Sequence, residues 1–358
     1  MELLSVTMND GVMPRSEIEG KDNSSEDKSN YKIVRKGDMV YNSMRMWQGA
    51  NGISPYDGIV SPAYTVLMPK QEISNGYFAA LFKSTNLINE FRKNSQGMTS
   101  DTWNLKYPQI ETIKVHIPTV LEQQKVSELF SILDERINAQ AQLVDSLKKY
   151  KRGLLREVFS QIGANCEKRN LKDISMLFAD GDWIESKDQS SNGIRLIQTG
   201  NIGFGVYLDK PKNAKYISEE TFHRLNCLEV CSGDILVSRL PEPAGRACLL
   251  PQSKEKRITA VDCTVIRADK SVIDTNYLLQ FLCSEQYLQT VNAFLAGGTR
   301  QRISRKNLET IQIPCPSLDK QQYLGSFLCT LDDHITNSEK HLSCLNRMRC
   351  FMLQQLFI

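Results

Sequence analysis

One stretch of this chain is written twice, at a constant offset of 198 residues. Gln123-Gln124-Lys125-Val126, Leu133-Asp134 and Phe159 are answered by Gln321-Gln322-Tyr323-Leu324, Leu331-Asp332 and Phe357. A period that long excludes a solenoid, whose units run to about 20–50 residues. It points instead to two similar half-molecules about a pseudo-two-fold axis, and so to a ligand with two related halves.

The spacing within the repeat predicts helices. With Val126 at heptad position a, the a positions are Val126, Leu133, Gln140, Leu147 and Leu154, and the d positions Phe130, Ile137, Val144, Lys151 and Val158. The second copy gives Leu324, Leu331, Ser338, Leu345 and Met352 at a, with Leu328, Ile335, Leu342, Arg349 and Leu356 at d. The polar interruptions fall in matching slots, Gln140 with Ser338 and Lys151 with Arg349. Polar seam residues cost stability but set register and partner choice. Each copy runs for about 37 residues, a rod of roughly 55 Å, longer than a small globular core needs. A lone amphipathic helix would lie on its own domain. The matched interruptions favour two rods that pair with each other, antiparallel, with the attached domains at opposite ends of a bar. Asp134-Glu135 and Asp332-Asp333 fall off this seam, on a solvated or partner-contacting face, and are not expected to be an acid-base dyad.

What precedes each rod is duplicated more loosely. Val34-Arg35-Lys36-Gly37-Asp38-Met39-Val40 matches Val230-Cys231-Ser232-Gly233-Asp234-Ile235-Leu236, a Gly-Asp turn leading into a strand-like run. Tyr64 to Leu67 parallels Cys263 to Ile266, Tyr77 to Ser84 parallels Tyr277 to Ser284 as a short helix, and Ile110 to Ile113 parallels Leu308 to Ile311. The expected fold is α+β: two globular domains alternating with two long helices that pair as an antiparallel coiled coil. The boundaries are 1–117 for the first domain, 118–160 for the first helix, 161–313 for the second domain and 314–358 for the second helix.

Composition adds looser bounds. The 358 residues are 41% hydrophobic and 24% charged, which is globular, and a net charge of +3 does not by itself argue for nucleic acid. All ten cysteines lie from Cys166 onward with no CxxC pair. With no signal peptide and no long apolar run, they read as reduced, mostly buried thiols in a reducing cytoplasm, with no membrane. Phosphate-loop, dinucleotide-binding, HExxH and amino-methyltransferase motifs are lacking. His116, His223, His334 and His341 show no metal spacing, and Arg136 and Leu143 stand where His334 and His341 would repeat in the first rod. No catalytic residue, metal or cofactor is expected on this chain.

These anchors resemble the specificity subunit of type I restriction-modification systems, in which two target-recognition domains alternate with two long central helices. The Gly-Asp turns at Gly37-Asp38 and Gly233-Asp234, the glycine loops at Gly97 to Thr99 and Gly298-Thr299, and the Ile-Pro entries at Ile117-Pro118 and Ile313-Pro314 recur in that family's order. The resemblance implies a non-catalytic, sequence-specific subunit for double-stranded DNA. It also implies docking of two methyltransferase (M) subunits, which bring S-adenosylmethionine, and of motor-nuclease (R) subunits that use ATP and magnesium. One departure stands out. Aligning Leu3-Leu4-Ser5-Val6 with Leu196-Ile197-Gln198-Thr199 leaves the first domain roughly 25 residues short of the second, including an opening strand. A recombination cassette, a late start or a natural short form all fit, and a silent cassette with only the second domain competent stays open, as does a coiled-coil scaffold without DNA.

Reading DNA needs cations for phosphates, with amide or guanidinium groups for base edges. The densest such segment runs from Gly297 to Lys306. Within it Gln301 or Arg300 are expected base readers and Arg305 or Lys306 phosphate clamps, with Thr299 and Arg302 beside them. Its counterpart, Gln96 to Lys106, offers Gln96, Ser100 and Asn104, and Trp103 is a reader or a core residue. Past each Gly-Asp strand stand Arg45 in one half, near Asn42, Ser43 and Trp47, and Arg239 and Arg246 in the other. Gln198, Thr199 and Asn201 form a polar turn that could face DNA.

Overall fold

The computed structural model describes residues 1–8, 11–20, 24–295 and 301–357. The chain divides into two compact units, Met1–Gln142 with Ser338–Ile358, and Leu143–Asn337. Each long helix contributes to both.

The first unit holds strands β1 (Leu4–Val6), β2 (Val12–Pro14), β3 (Lys32–Val34), β4 (Met39–Asn42), β5 (Asn51–Ile53), β6 (Gly58–Val60) and β7 (Tyr64–Leu67). Helices α1 (Asn75–Leu81), α2 (Thr85–Asn94) and α3 (Tyr107–Ile110) follow, and then the long α4 (Val120–Asn165). The second unit holds β8 (Lys168–Asn170), β9 (Ser175–Asp180), β10 (Ile194–Ile197), β11 (Lys215–Ile217), α5 (Glu219–Arg224), β12 (Ile235–Ser238), β13 (Ala247–Leu249), β14 (Arg257–Thr259) and β15 (Cys263–Ala268). It continues with α6 (Thr275–Leu282), α7 (Glu285–Phe294), α8 (Arg305–Glu309), β16 (Gln312–Pro314) and the long α9 (Leu318–Gln355).

The two units share one frame. Both Gly-Asp turns place glycine in the left-handed region, Gly37 at φ +93° and Gly233 at φ +91°, where a Cβ would be strained. The aspartate then closes each turn, Asp38 Oδ2 accepting from Arg35 N and Asp234 Oδ2 from Cys231 N, both at 2.8 Å. The strands they launch keep the same pairing register. Met39, Val40 and Tyr41 face Leu67, Val66 and Thr65, while Ile235, Leu236 and Val237 face Ile266, Val265 and Thr264. Leu3 bridges Ile59 in parallel as Leu196 faces Ile258, which agrees with the alignment of Leu3 on Leu196.

The frames differ at one edge. In the second unit the sheet order is β13-β12-β15-β9, and a separate pair joins β16 to β8. In the first unit the order stops at β5-β4-β7. Among the described residues no strand lies along the outer edge of β7, and residues 113–117 form no strand.

Each long helix is locked to its own unit by a glutamine. Gln123 is 1% exposed; its Oε1 accepts from Ser74 N at 3.0 Å and its Nε2 donates to Pro118 O at 2.9 Å. Gln321, also 1% exposed, accepts from Asp274 N at 2.8 Å and donates to Pro316 O at 2.8 Å and Val272 O at 3.2 Å. Ser74 and Asp274 are in turn the N-caps of α1 and α6. Pro118 therefore corresponds to Pro316, and the alignment of Ile117-Pro118 on Ile313-Pro314 is corrected by two residues.

Helix pairing runs antiparallel in both units. In the first, Arg349 forks onto Asp134 (Nε–Oδ1 2.5 Å, Nη2–Oδ2 3.2 Å), Gln140 Nε2 donates to Ser338 O at 3.1 Å, and Phe130 stacks on Phe357. In the second, Lys151 meets Asp332 at 2.5 Å, and Leu328 shares a core with Leu155 and Phe159. The seam positions Val126, Leu133, Ile137, Val144, Leu147, Leu154, Leu324, Leu331, Ile335, Leu342, Leu345 and Met352 are all buried or half-buried. Asp134 and Asp332 are thus not simply solvated: each pairs with the cation that interrupts the opposite seam. Two further corrections concern the rods. At 46 residues α4 exceeds the expected length, whereas α9 at 38 matches it, and Leu356 is exposed while Leu353 and Phe357 are buried. Leu155, Phe159 and Ile162 make the same shift in α4. A straight helix drifts about 20° per heptad from a 3.5 repeat, and these last turns pack on a globular core rather than on a partner helix.

Candidate nucleic-acid interface

The loop joining β12 to β13, residues 239–246, organises the polar surface of the second unit. Arg239 donates its N–H to Asp262 O at 2.9 Å, and its carbonyl accepts from Ile303 N at 3.1 Å. Ile303 is fully buried. It pegs the flanking Gln301, Arg302, Arg305 and Lys306 at the surface, where all four are exposed. At the other end of the same loop, Arg246 donates to Ile202 O (2.8 Å), Thr199 O (2.9 Å), Leu240 O (2.9 Å) and Pro243 O (3.1 Å). One eight-residue loop thereby holds two segments, 198–206 and 301–306. Of the cations, Arg302 pairs with Asp262 at 3.1 Å and Arg305 with Glu309 at 3.2 Å, one helical turn on. Lys306 is exposed beside them.

Three of the expected readers serve the fold instead. Asn201 is buried; its Oδ1 accepts from Gln198 N at 3.0 Å and its Nδ2 donates to Leu208 O at 2.9 Å, so its amide fixes the turn. Arg239 is buried beside Asp180 at 3.3 Å and donates to Val261 O. Arg246 is half-buried with its guanidinium committed to four carbonyls. Burial pulls the pKa of both arginines down, yet an arginine remains charged at neutral pH. Gln198 and Thr199 are half-buried, with the Thr199 carbonyl held by Arg246. Thr299 and Arg300 lie outside the described residues. Sequence reasoning missed Phe204 and Val206, about half exposed on a turn closed by Gly203 N to Val206 O at 2.9 Å. The available signal was two apolar side chains, Phe204 and Val206, interleaved with Gly203 and Gly205, where a turn tip is ordinarily polar.

The first unit uses the same peg. Leu105, fully buried, donates its N–H to Ser43 O at 2.8 Å, as Ile303 does to Arg239. Gln96 and Asn104 pair through their backbones at 3.0 and 2.9 Å, which leaves Ser100 and the Gln96 side chain exposed on a short hairpin. Asn104 is half-buried, its Oδ1 without a hydrogen-bond partner. Arg45 is half-buried ahead of a 3-10 turn, Met46–Gln48. Trp103 packs edge-on against Trp47 at 5.1 Å, and Arg92 lies 5.7 Å over the Trp47 ring. Such a cation-π contact contributes about 0.5–1 kcal/mol at an exposed site. Cations and an aromatic pair therefore lie near this hairpin, although the hairpin itself is neutral apart from Asp101 and Lys106.

Other chemistry is thin. Among the described residues no group of three or more His, Cys, Asp or Glu side chains could hold a metal ion. All ten cysteines are free, four of them buried, three half-buried and three exposed, which corrects the expectation of mostly buried thiols. Burial pushes Cys227 and Cys263 up to about 11, and Cys248 and Cys283 up to about 12. Among the described residues no helix is long and apolar enough to cross a membrane.

Two α+β modules, each locked to a long helix and each presenting a pegged polar loop beside a Gly-Asp strand, define a duplicated recognition protein. The sequence matches the type I restriction modification DNA specificity domain over residues 5–149 and again over residues 164–346, and the chain belongs to that family. The MjaVIII specificity subunit of Methanocaldococcus jannaschii is 24% identical over 331 residues, covering 86% of this chain and 75% of that protein. The HindI specificity subunit of Haemophilus influenzae is 25% identical over 134 residues, 36% of this chain and 29% of that one. Among solved structures, the type I restriction-modification S subunit from M. genitalium aligns with a TM-score of 0.60 at 16% identity, over 91% of this chain and 84% of that one. The HsdS subunit from Thermoanaerobacter tengcongensis aligns at 0.50 and 16% identity, over 98% and 88%. The shared fold is the duplicated α+β architecture with two long helices.

Proposed function

We propose that this specificity subunit reads a bipartite duplex target. Each recognition domain reads a few base pairs, and the paired helices set an unread spacer between them. The observation that carries this is the double anchorage of the 239–246 loop, which holds two polar segments on one unit and leaves Gln301, Arg302, Arg305 and Lys306 facing outward. A fixed array of this kind suits phosphate clamping by cations and edge reading by an amide. Half-sites read from one face of B-DNA lie about 34 Å apart, which a rod of roughly 55 Å can bridge. A spacer of about 5–8 base pairs follows if each domain covers three to five.

The chain itself supplies the address. Two methyltransferase (M) subunits dock on the helices with S-adenosylmethionine, and motor-nuclease (R) subunits bring ATP and magnesium. A second reading, in which only the second domain specifies bases, draws support from the edge of β7, along which no described residue of the first unit forms a strand. Binding of the subunit, together with its M partner, to a randomised duplex library tests both. Gln301→Ala is expected to relax preference at one base position at a cost of about 1–3 kcal/mol. Arg305→Ala and Lys306→Ala are expected to weaken all sequences alike. Identical losses on every target for all three variants would contradict this division of labour.

A further inference from the structure

The turn that ends the 198–206 segment is built to hold an apolar tip in place. Ile202 bridges Tyr207 antiparallel, and Asn201 closes the ladder: its carbonyl accepts from Leu208 N at 2.8 Å, and its Nδ2 donates to Leu208 O at 2.9 Å. Gly203 N donates to Val206 O at 2.9 Å, and Gly205 N to Ala247 O at 2.8 Å. Both glycines are required there. Gly205 sits at φ +76°, and a Cβ on Gly203 would come within 2.7 Å of the Val206 carbonyl oxygen. The backbone is thus pinned on both sides of Phe204, yet the Phe204 and Val206 side chains stay about half exposed.

The surroundings of the tip are cationic. Lys210 and Lys212 are exposed just beyond the turn, and Lys215 is half-buried. Lys210 Nζ lies 3.6 Å from where a Cβ on Gly200 would stand, so this cation flanks the polar turn directly. The acid in the same stretch, Asp209, pairs with Arg195 at 3.6 Å. Arg246 ties the base of the tip, at Ile202 O, to the loop whose other end receives Ile303 and so presents Gln301 and Lys306. An apolar tip beside cations, continuous with the candidate nucleic-acid interface, fits a polyanion that carries apolar groups among its readable edges. In the major groove of duplex DNA that group is the 5-methyl of thymine. Residues 203–206 have no side-chain donor or acceptor, so their contribution to reading is apolar.

We infer that Phe204, with Val206 beside it, is a specificity residue that contacts a thymine methyl group in the half-site read by the second unit. The inference rests on the DNA reading proposed above and adds an apolar determinant that the amides and cations of the 301–306 segment do not supply. Covering one methyl group with the phenyl ring is expected to raise affinity about fourfold.

The test is a thermodynamic cycle between side chain and base, run on the subunit in complex with its M partner. The best-bound duplex from the randomised library is remade with uracil, which lacks only the methyl group, in place of each thymine in turn. At one or two positions of one defined segment, uracil is expected to weaken binding about fourfold. Phe204→Ala should bring that ratio close to one, whereas Phe204→Leu, apolar at the same place, should keep most of it. Both variants should melt at the parent temperature, because the ring is half in solvent. The inference is overturned when no uracil replacement weakens binding, or when Phe204→Ala leaves the uracil penalty at its parent size. Phe204→Ala weakening the M complex in place of the methyl preference would also overturn it, by assigning the tip to a protein interface. A library with no sequence preference at all would overturn the DNA reading itself, whereas an intact bipartite preference without a methyl effect would overturn this inference alone.

Discussion

Gln123 and Gln321 carry the duplication down to single hydrogen bonds, each joining the first turn of a long helix to the N-cap of a short one. Replacing Gln321 with alanine leaves the Asp274 amide and two carbonyls without partners in a buried setting, a loss of about 1–3 kcal/mol. Urea denaturation is expected to show that shift, whereas the exposed Gln322→Ala should stay within about 0.5 kcal/mol of the parent. Thiol reactivity makes a second test. Cys231, Cys344 and Cys350 are exposed and should react with a thiol reagent near neutral pH. Cys248 and Cys283, pushed up to about 12, should react only on unfolding. The repeated glutamines were legible as letters, but not their role, because their partners lie 47 to 49 residues away. Arg239 and Arg246 were misjudged for a related reason. An arginine after a strand looks the same in sequence whether it faces water or caps buried carbonyls, and only the tertiary fold decides.

At the scale of elements, the heptad pattern was the most legible feature, since the period of apolar residues states which face is covered. The cationic interruptions proved to be ion pairs, Arg349 to Asp134 in one unit and Lys151 to Asp332 in the other. Sequence alone had the cations on the seam and the aspartates off it. Antiparallel helices bring them together, because a position flanking one seam faces the interruption of the other. Asp332 is about two-fifths exposed, so solvent screens the attraction and the pair contributes about 1 kcal/mol at most. Asp332→Lys is expected to destabilise the protein by an amount of that order, and Lys151→Asp in the same chain to restore most of it. A double-mutant cycle in urea measures the coupling, and zero coupling would mean the two side chains do not interact in solution. The heptad rule failed only at the last turns, where Phe357 rather than Leu356 is buried, because the surface met there is a globular core of aromatic residues.

For the whole molecule, the duplication announced two modules and two helices, and the order of the anchors announced the family. The bases read were not legible, since they depend on loop conformation and DNA shape. If the paired helices set the spacer, adding one heptad to each, at Gln140 and at Ser338, lengthens them by about 10 Å. The unread spacer should then grow by about three base pairs at about 3.4 Å each, with both defined halves unchanged. The most direct measurement is single-molecule methylome sequencing of cells expressing this chain with its methyltransferase subunit. The account predicts a methylated motif of two defined segments separated by an unread run, in which Gln301→Ala blurs one position of one segment only. An uninterrupted motif, or a bipartite one that Gln301→Ala together with Arg302→Ala leaves untouched, would contradict it.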